Sequence, residues 1–264
     1  MKTIYSSVHL LVRNLVYWVF IVITTILAST ILFILWPLPD YKRHCLGIFW
    51  PDALRWALHH IIGLKYHVIY EGGVLQTPAI ICAKHQSGWE TIALQGIFPP
   101  QVFVTKKELL FLPFFGWGLA LMNAIGIERA DPTQAFRQMI RQGQKRIRQG
   151  FWIVIFPEGT RIKPGQKGTY KIGAVLLAKQ LQVPIVPVAH NAGEFWPKKS
   201  FLKYPGDVTV IVGSPIRTDI DKSNVILKQL ETWIENHQRQ IGGEGPYADP
   251  KERMIWLSRH KKKI

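Results

Sequence analysis

His85 and Glu90 bracket the segment Ala83-Lys84-His85-Gln86-Ser87-Gly88-Trp89-Glu90-Thr91 and supply a base with a carboxylate five positions on. On one continuous helix, five residues turn through about 140° net and the two side chains would not share a face. The spacing works if His85 stands on a turn and Glu90 in the first turn of the helix after it. The carboxylate then holds one imidazole nitrogen, fixes the tautomer, and leaves the other nitrogen to take a proton from a hydroxyl. The pair alone is weak evidence, because 9 His and 17 Asp plus Glu in 264 residues make such a spacing an ordinary coincidence. Ser87-Gly88-Trp89-Glu90 also has the form of a capping box, in which Glu90 bonds the backbone at the helix start. Both uses place Glu90 beside His85.

Phe156-Pro157-Glu158-Gly159-Thr160-Arg161 is more specific, since six fixed positions rarely arise together. An apolar run ends there in a turn. Gly159 permits positive φ or close backbone approach, and the planar fork of Arg161 matches phosphate oxygens. Lys106 and Lys107 follow another apolar run, and Arg129 closes Gly126-Ile127-Glu128-Arg129. Each of these cations comes just after an expected strand, at the edge where α/β folds bind ligands. No G-x-S-x-G elbow, phosphate loop or dinucleotide fingerprint is present. Cys45 and Cys82 give neither a disulfide framework nor a metal-binding spacing. Cys82 lies in an apolar run and is expected to pack as a small hydrophobe. His190 follows a strand and is read as structural.

The elements that must position these groups alternate. Apolar runs at 78–83, 102–104, 151–156, 183–189 and 208–212 read as strands. Pro184 and Pro187 place the fourth of these at a sheet edge. Helical patterns lie between them at about 89–97, 113–124, 132–149, 171–181 and 222–240. Such alternation predicts an α/β fold, a mostly parallel sheet flanked by helices. The expected organisation is a membrane-anchoring helix plus interfacial helix over 1–64, an α/β domain over 65–241, and a basic tail over 242–264. Gly242-Gly243-Glu244-Gly245-Pro246 marks the end of the core.

Asn14 to Pro39 carries no charge and is long enough to cross a hydrocarbon layer of about 30 Å as a helix. Trp18 and Trp36 flank it as belt residues do. Its length and the lack of a small-x-small site argue against a cleaved signal. Pro37 and Pro39 break the chain before the amphipathic stretch 48–64, so a re-entrant hairpin is the alternative to a span. The net charge of +16 calls for anionic partners. Beside so apolar an N-terminus, those partners are anionic lipids rather than nucleic acid. The tail Arg259-His260-Lys261-Lys262-Lys263 adds to this attraction or is simply solvated.

In order along the chain, four blocks resemble the glycerolipid acyltransferase family, which includes bacterial 1-acyl-glycerol-3-phosphate acyltransferases. They are His85 to Glu90, then 106–109 with 113–116 and Gly126 to Arg129, then Phe156 to Arg161, then Val183 to Val188. The resemblance spans about 65–215. The box ends here in Glu90, where the commonest family form has Asp; lipid A acyltransferases share the His-x4-Glu box but match the other blocks less. The resemblance implies a glycerolipid acyltransferase-like fold with His85 and Glu90 as catalytic pair. It implies Lys106, Arg129, Glu158, Gly159, Thr160 and Arg161 around the acceptor phosphate. The implied reaction moves an acyl chain from acyl carrier protein or coenzyme A to the sn-2 hydroxyl of lysophosphatidate, with no cofactor or metal, on the cytoplasmic side of a bacterial inner membrane. Two alternatives stay open: another lysolipid acceptor, such as a lyso-ornithine lipid or other lysophospholipid, and a non-catalytic basic protein that binds membranes.

Overall fold

In the computed structural model, residues 7–73, 76–128 and 130–260 are described. Seven strands form one sheet in the order β1-β7-β6-β2-β5-β3-β4. These are β1 (Leu64–Tyr70), β2 (Ile80–Ala83), β3 (Gln101–Lys106), β4 (Ile125–Ile127), β5 (Trp152–Ile155), β6 (Ile185–His190) and β7 (Gly206–Val212). All neighbours pair in parallel except β6 with β7. The central strands β2 and β5 are buried at every residue, as expected of strands covered on both faces.

Nine α-helices complete the described chain: α1 (Ser7–Ile34), α2 (Asp40–Gly47), α3 (Phe49–Ala57), α4 (Trp89–Ile97), α5 (Phe115–Leu121), α6 (Pro132–Arg148), α7 (Gly173–Leu181), α8 (Ser223–Ile241) and α9 (Pro250–His260). Alternate strand residues feed two cores. Ile81, Val154 and Val186 pack with Tyr17 of α1, Leu54 of α3 and Trp89 of α4. Ile80, Ile153 and Ile185 pack on the other face with Met139 of α6, Leu177 of α7 and Leu230 of α8.

The sheet corrects one expectation. β6 lies inside the sheet, between β2 and β7, and not at an edge. Its prolines cost no ladder bond. Pro184 precedes the strand and its carbonyl accepts from Ile80 N. Pro187 accepts from Gly213 N, so its own nitrogen faces β7, where the ladder begins only at Val188. β1 and β4 are additions to the five strands read from sequence.

α1 is tied to the body near both ends. Asn14 exchanges two hydrogen bonds with the backbone of Lys203, at 2.7 and 3.0 Å, and Arg13 donates to the Ile61 carbonyl. The buried Lys203 ammonium sits 3.8 Å from the Trp18 ring centre and 4.5 Å from that of Trp196. Near the other end, Ser29 donates to the Phe114 carbonyl at 2.7 Å. Asp40 opens α2 and binds Arg43, Arg146 and Gln149, joining that helix to α6. After α8 the backbone N–H groups of Gly243, Glu244 and Gly245 all donate to the Glu194 carboxylate, so this stretch is held on the body. The tail residues 261–264 lie outside the described residues.

Candidate active site

β2, β5, β3 and β4 are adjacent and parallel, so their C-terminal ends share one edge of the sheet. His85 follows β2, Glu158 to Arg161 follow β5, and Lys106 ends β3. Topology therefore gathers residues separated by about 75 positions, and the edge is the one on which α/β sheets bind ligands.

His85 stands on the turn between β2 and α4, and Glu90 is the second residue of α4. Glu90 Oε1 lies 2.7 Å from His85 Nδ1. The same carboxylate accepts from the backbone of Gln86 at 3.0 Å and of Ser87 at 2.9 and 3.1 Å. Trp89 N donates to Ser87 Oγ at 3.0 Å. The cap and the histidine contact thus coexist on one side chain. Burial opposes ionisation of Glu90, but the hydrogen bond from His85, the fields of His190 and His85 and the Ser87 N–H together hold its pKa below the usual range. A carboxylate there accepts a hydrogen bond from Nδ1–H, so Nε2 carries the lone pair. Among the described residues Nε2 has no hydrogen-bond partner. The imidazole stacks on Phe156, with ring centres 4.0 Å apart.

The two motifs are clamped together through backbone. His85 N donates to Glu158 Oε2 at 2.9 Å, and Ile162 N donates to the His85 carbonyl at 2.8 Å. Glu158, expected to line the acceptor site, is turned into the protein, with its side chain fully buried. It meets Lys84 there at 2.8 Å, a compensation that an anionic ligand would not offer. Burial pushes the Glu158 carboxyl up, partly offset by Lys84. Lys84 also binds Glu235 of α8 at 2.7 Å, and Tyr170 donates to the same oxygen at 2.8 Å. This buried network was missed in the sequence. Its one signal is a lysine between an apolar run and a histidine; Glu235 is 151 positions away.

Gly159 has φ +68°, and a Cβ there would meet the end of the Lys171 side chain. Thr160 is exposed and its Oγ1 accepts from Lys198 at 3.2 Å. The half-buried Arg161 has no acidic partner among the described residues. Lys106 is exposed at the end of β3, in register with Ile127. Arg129, two residues further on, lies outside the described residues. Lys171 belongs to the Gly168–Gly173 loop that the sequence places near the site, whereas Lys198 is a cation that local sequence patterns did not assign here. His190 is buried and structural: its Nε2 bonds the Lys84 carbonyl at 2.8 Å, Ala192 N donates to Nδ1, and burial lowers its pKa.

A family model described as Acyltransferase matches residues 66–191, which contain all these blocks. The 1-acyl-sn-glycerol-3-phosphate acyltransferase of Pseudomonas aeruginosa is 34% identical over 235 residues, covering 87% of this chain and 91% of its own. The chain belongs to the acyltransferase family. An enzyme of the same name from Cocos nucifera is 31% identical over 81% of this chain and 71% of its own length. The crystal structure of the 1-acyl-sn-glycerophosphate acyltransferase PlsC from Thermotoga maritima superposes with a TM-score of 0.72 at 20% identity, over 87% of this chain and 95% of that one. That likeness supports the fold.

Proposed function

We propose that the chain is a 1-acyl-sn-glycerol-3-phosphate acyltransferase with His85 as general base. The observation that carries this is the Glu90-held imidazole with an open Nε2, on the strand edge that also bears Arg161. Nε2 removes the proton from the sn-2 hydroxyl of lysophosphatidate. The oxygen attacks the carbonyl carbon of an acyl thioester held by acyl carrier protein or coenzyme A. The C–S bond then breaks, and the imidazolium returns its proton to the departing thiolate. Glu90 stabilises the imidazolium. Arg161 and Lys106 hold the acceptor phosphate, with Arg129, Gly159 and Thr160 completing the cradle and Glu158 positioning it from below. No cofactor is needed beyond the thioester. The chain is membrane-associated, and its +16 charge favours the anionic cytoplasmic leaflet of a bacterial inner membrane.

The test is turnover of purified protein in detergent with either thioester and a panel of lysolipids. General-base catalysis contributes about 10²- to 10⁴-fold, so His85→Ala should lose at least that in rate and still bind vesicles. Arg161→Ala should raise the KM for lysophosphatidate more than it lowers kcat. Unchanged turnover in His85→Ala would sink the assignment. Product from a different lysolipid alone would keep the chemistry and move the acceptor.

A further inference from the structure

α6 runs Pro-Thr-Gln-Ala-Phe-Arg-Gln-Met-Ile-Arg-Gln-Gly-Gln-Lys-Arg-Ile-Arg and contains five cations and no acid. Ala135, Met139 and Gly143 face the core. Arg137, Arg141, Lys145 and Arg148 are all exposed. At 100° per residue their 4-4-3 spacing confines them to an arc of about 80° along about 16 Å of helix. Like charges at i and i+4 repel, so this arrangement does nothing for the helix itself. Among the described residues Arg137, Arg141 and Arg148 have no acidic partner. Lys145 has Asp40 at 3.5 Å, an oxygen that Arg146 holds more closely, at 3.2 Å.

The position of the stripe narrows its partner. α6 packs on the sheet face opposite to the one covered by α1, α3 and α4. α1 carries the exposed apolar surface, with Val12, Leu15, Val19 and Ile23 each about half exposed. A bilayer against α1 therefore does not lie beneath the stripe. The exposed face of α6 has no aromatic side chain to stack on bases, which argues against single-stranded nucleic acid. A stripe of cations with neither a bilayer beneath it nor aromatic side chains within it fits a soluble acidic protein. α6 starts five positions after β4 ends, at the sheet edge that holds His85, and runs back toward the start of β5, so a protein docked along it reaches the site edge at its Arg137 end.

We propose that Arg137, Arg141, Lys145 and Arg148 form the docking surface for an acidic acyl carrier protein, which delivers the acyl thioester to His85. This rests on the acyltransferase reading above and goes further, because it assigns the donor. Charge complementarity of this kind acts on encounter rate and salt dependence.

The test compares wild type with Arg137→Glu/Arg141→Glu/Arg148→Glu and with the milder triple glutamine variant. Each is assayed with acyl carrier protein and coenzyme A thioesters of one chain length. The expected result is a rise of about tenfold or more in KM for the carrier-protein donor, with kcat and the coenzyme A kinetics within about twofold. In the wild type the carrier-protein kcat/KM should fall steeply with salt. An equal loss with both donors, no loss with either, or no wild-type turnover from the carrier-protein donor overturns the docking. So does a drop in partition to phosphatidylglycerol vesicles that accounts for the loss, which would make the stripe a membrane contact. If the wild type turns over neither donor, the acyltransferase reading fails. The docking is then judged by direct binding of acyl carrier protein to immobilised enzyme, retained in wild type and lost in the variants if it holds, and equal in both if it does not.

Discussion

Replacing Glu90 by glutamine separates the charge of this side chain from its shape. The carboxylate accepts from His85 Nδ1, Gln86 N and Ser87 N at 2.7 to 3.1 Å and is completely buried. Glutamine keeps one accepting oxygen and turns the other position into a donor facing Ser87 N–H. Only interactions that strengthen in the transition state raise kcat. Here the one that strengthens is the attraction between Glu90 and the imidazolium that forms on His85. At a charge separation of about 4 Å and an effective dielectric of about 20, that attraction is roughly 4 kcal/mol. Reorganisation of the site recovers part of it, so the barrier should rise by about 2–4 kcal/mol, or roughly 30- to 10³-fold in kcat. The KM for lysophosphatidate should stay within about twofold, because Glu90 is out of contact with solvent.

Glu90→Asp sharpens the test. It keeps the charge but withdraws the carboxylate by one C–C bond, about 1.5 Å, which stretches the 2.7 Å contact beyond hydrogen-bond range. Losing a hydrogen bond to a charged group costs about 1.5–3 kcal/mol, so a loss of at least about tenfold in kcat is expected. Initial rates at saturating donor measure both variants. A glutamine variant with kcat within about threefold of wild type would refute the orienting role. A fully active aspartate variant would show that α4 can move inward to meet His85.

Two further predictions concern what holds the site. Lys84→Met leaves Glu158 and Glu235 buried without their cation; breaking such a pair costs about 3–5 kcal/mol, so detergent melting should fall well below wild type, and adding Glu158→Gln should restore part of it. A melt unchanged within about 1 kcal/mol would show that Lys84 is replaceable. Asp40 has its carboxyl brought down to about 2: burial opposes this, but Gln149, Arg43, Arg146 and Lys145 prevail. Because the folded value lies below the unfolded one, its contribution is complete above about pH 4 and is lost as pH falls toward 2. Asp40→Asn should cost about 1 kcal/mol at pH 7 and nothing near pH 2. A constant difference between the two melting curves across that range would count against the link.

The central strands were readable because burial on both faces leaves uninterrupted apolar runs, as in Trp152 to Ile155 and Ile80 to Ala83. β1 was hidden because it is an edge strand whose sequence, Leu-Lys-Tyr-His-Val-Ile-Tyr, puts Lys65 and His67 among apolar residues. β4 was hidden by its length of three residues, one of them Gly126. In the site, His85 and Glu90 could be paired because their contact is local. Lys84, Glu158, Glu235 and Tyr170 could not, since only the packing of α8 against the sheet brings them together. The inward turn of Glu158 was hidden for a related reason: local sequence shows a turn after a strand, but not which side of it the carboxylate faces.

α1 was legible as one long apolar helix, but its setting against the body shows only in its ties. Twenty-eight residues make about 42 Å of helix, long enough to span. Yet Asn14 and Ser29 bind the same body, at Lys203 and Phe114. The 15 residues between them cover about 22 Å, less than the roughly 30 Å of hydrocarbon. A helix fastened to one domain at both places lies along it and cannot carry that domain on one side while crossing to the other. On the proposed function, its outer face and not its length meets lipid. From Ser29 the apolar surface continues into Phe111, Phe114 and Trp117, all exposed. That segment directly follows Lys106 at the end of β3. On the proposed function, a lysolipid can therefore keep its tail in the membrane while its phosphate reaches the cations at the sheet edge. The apolar helix then places the active site at the lipid surface as well as anchoring the chain.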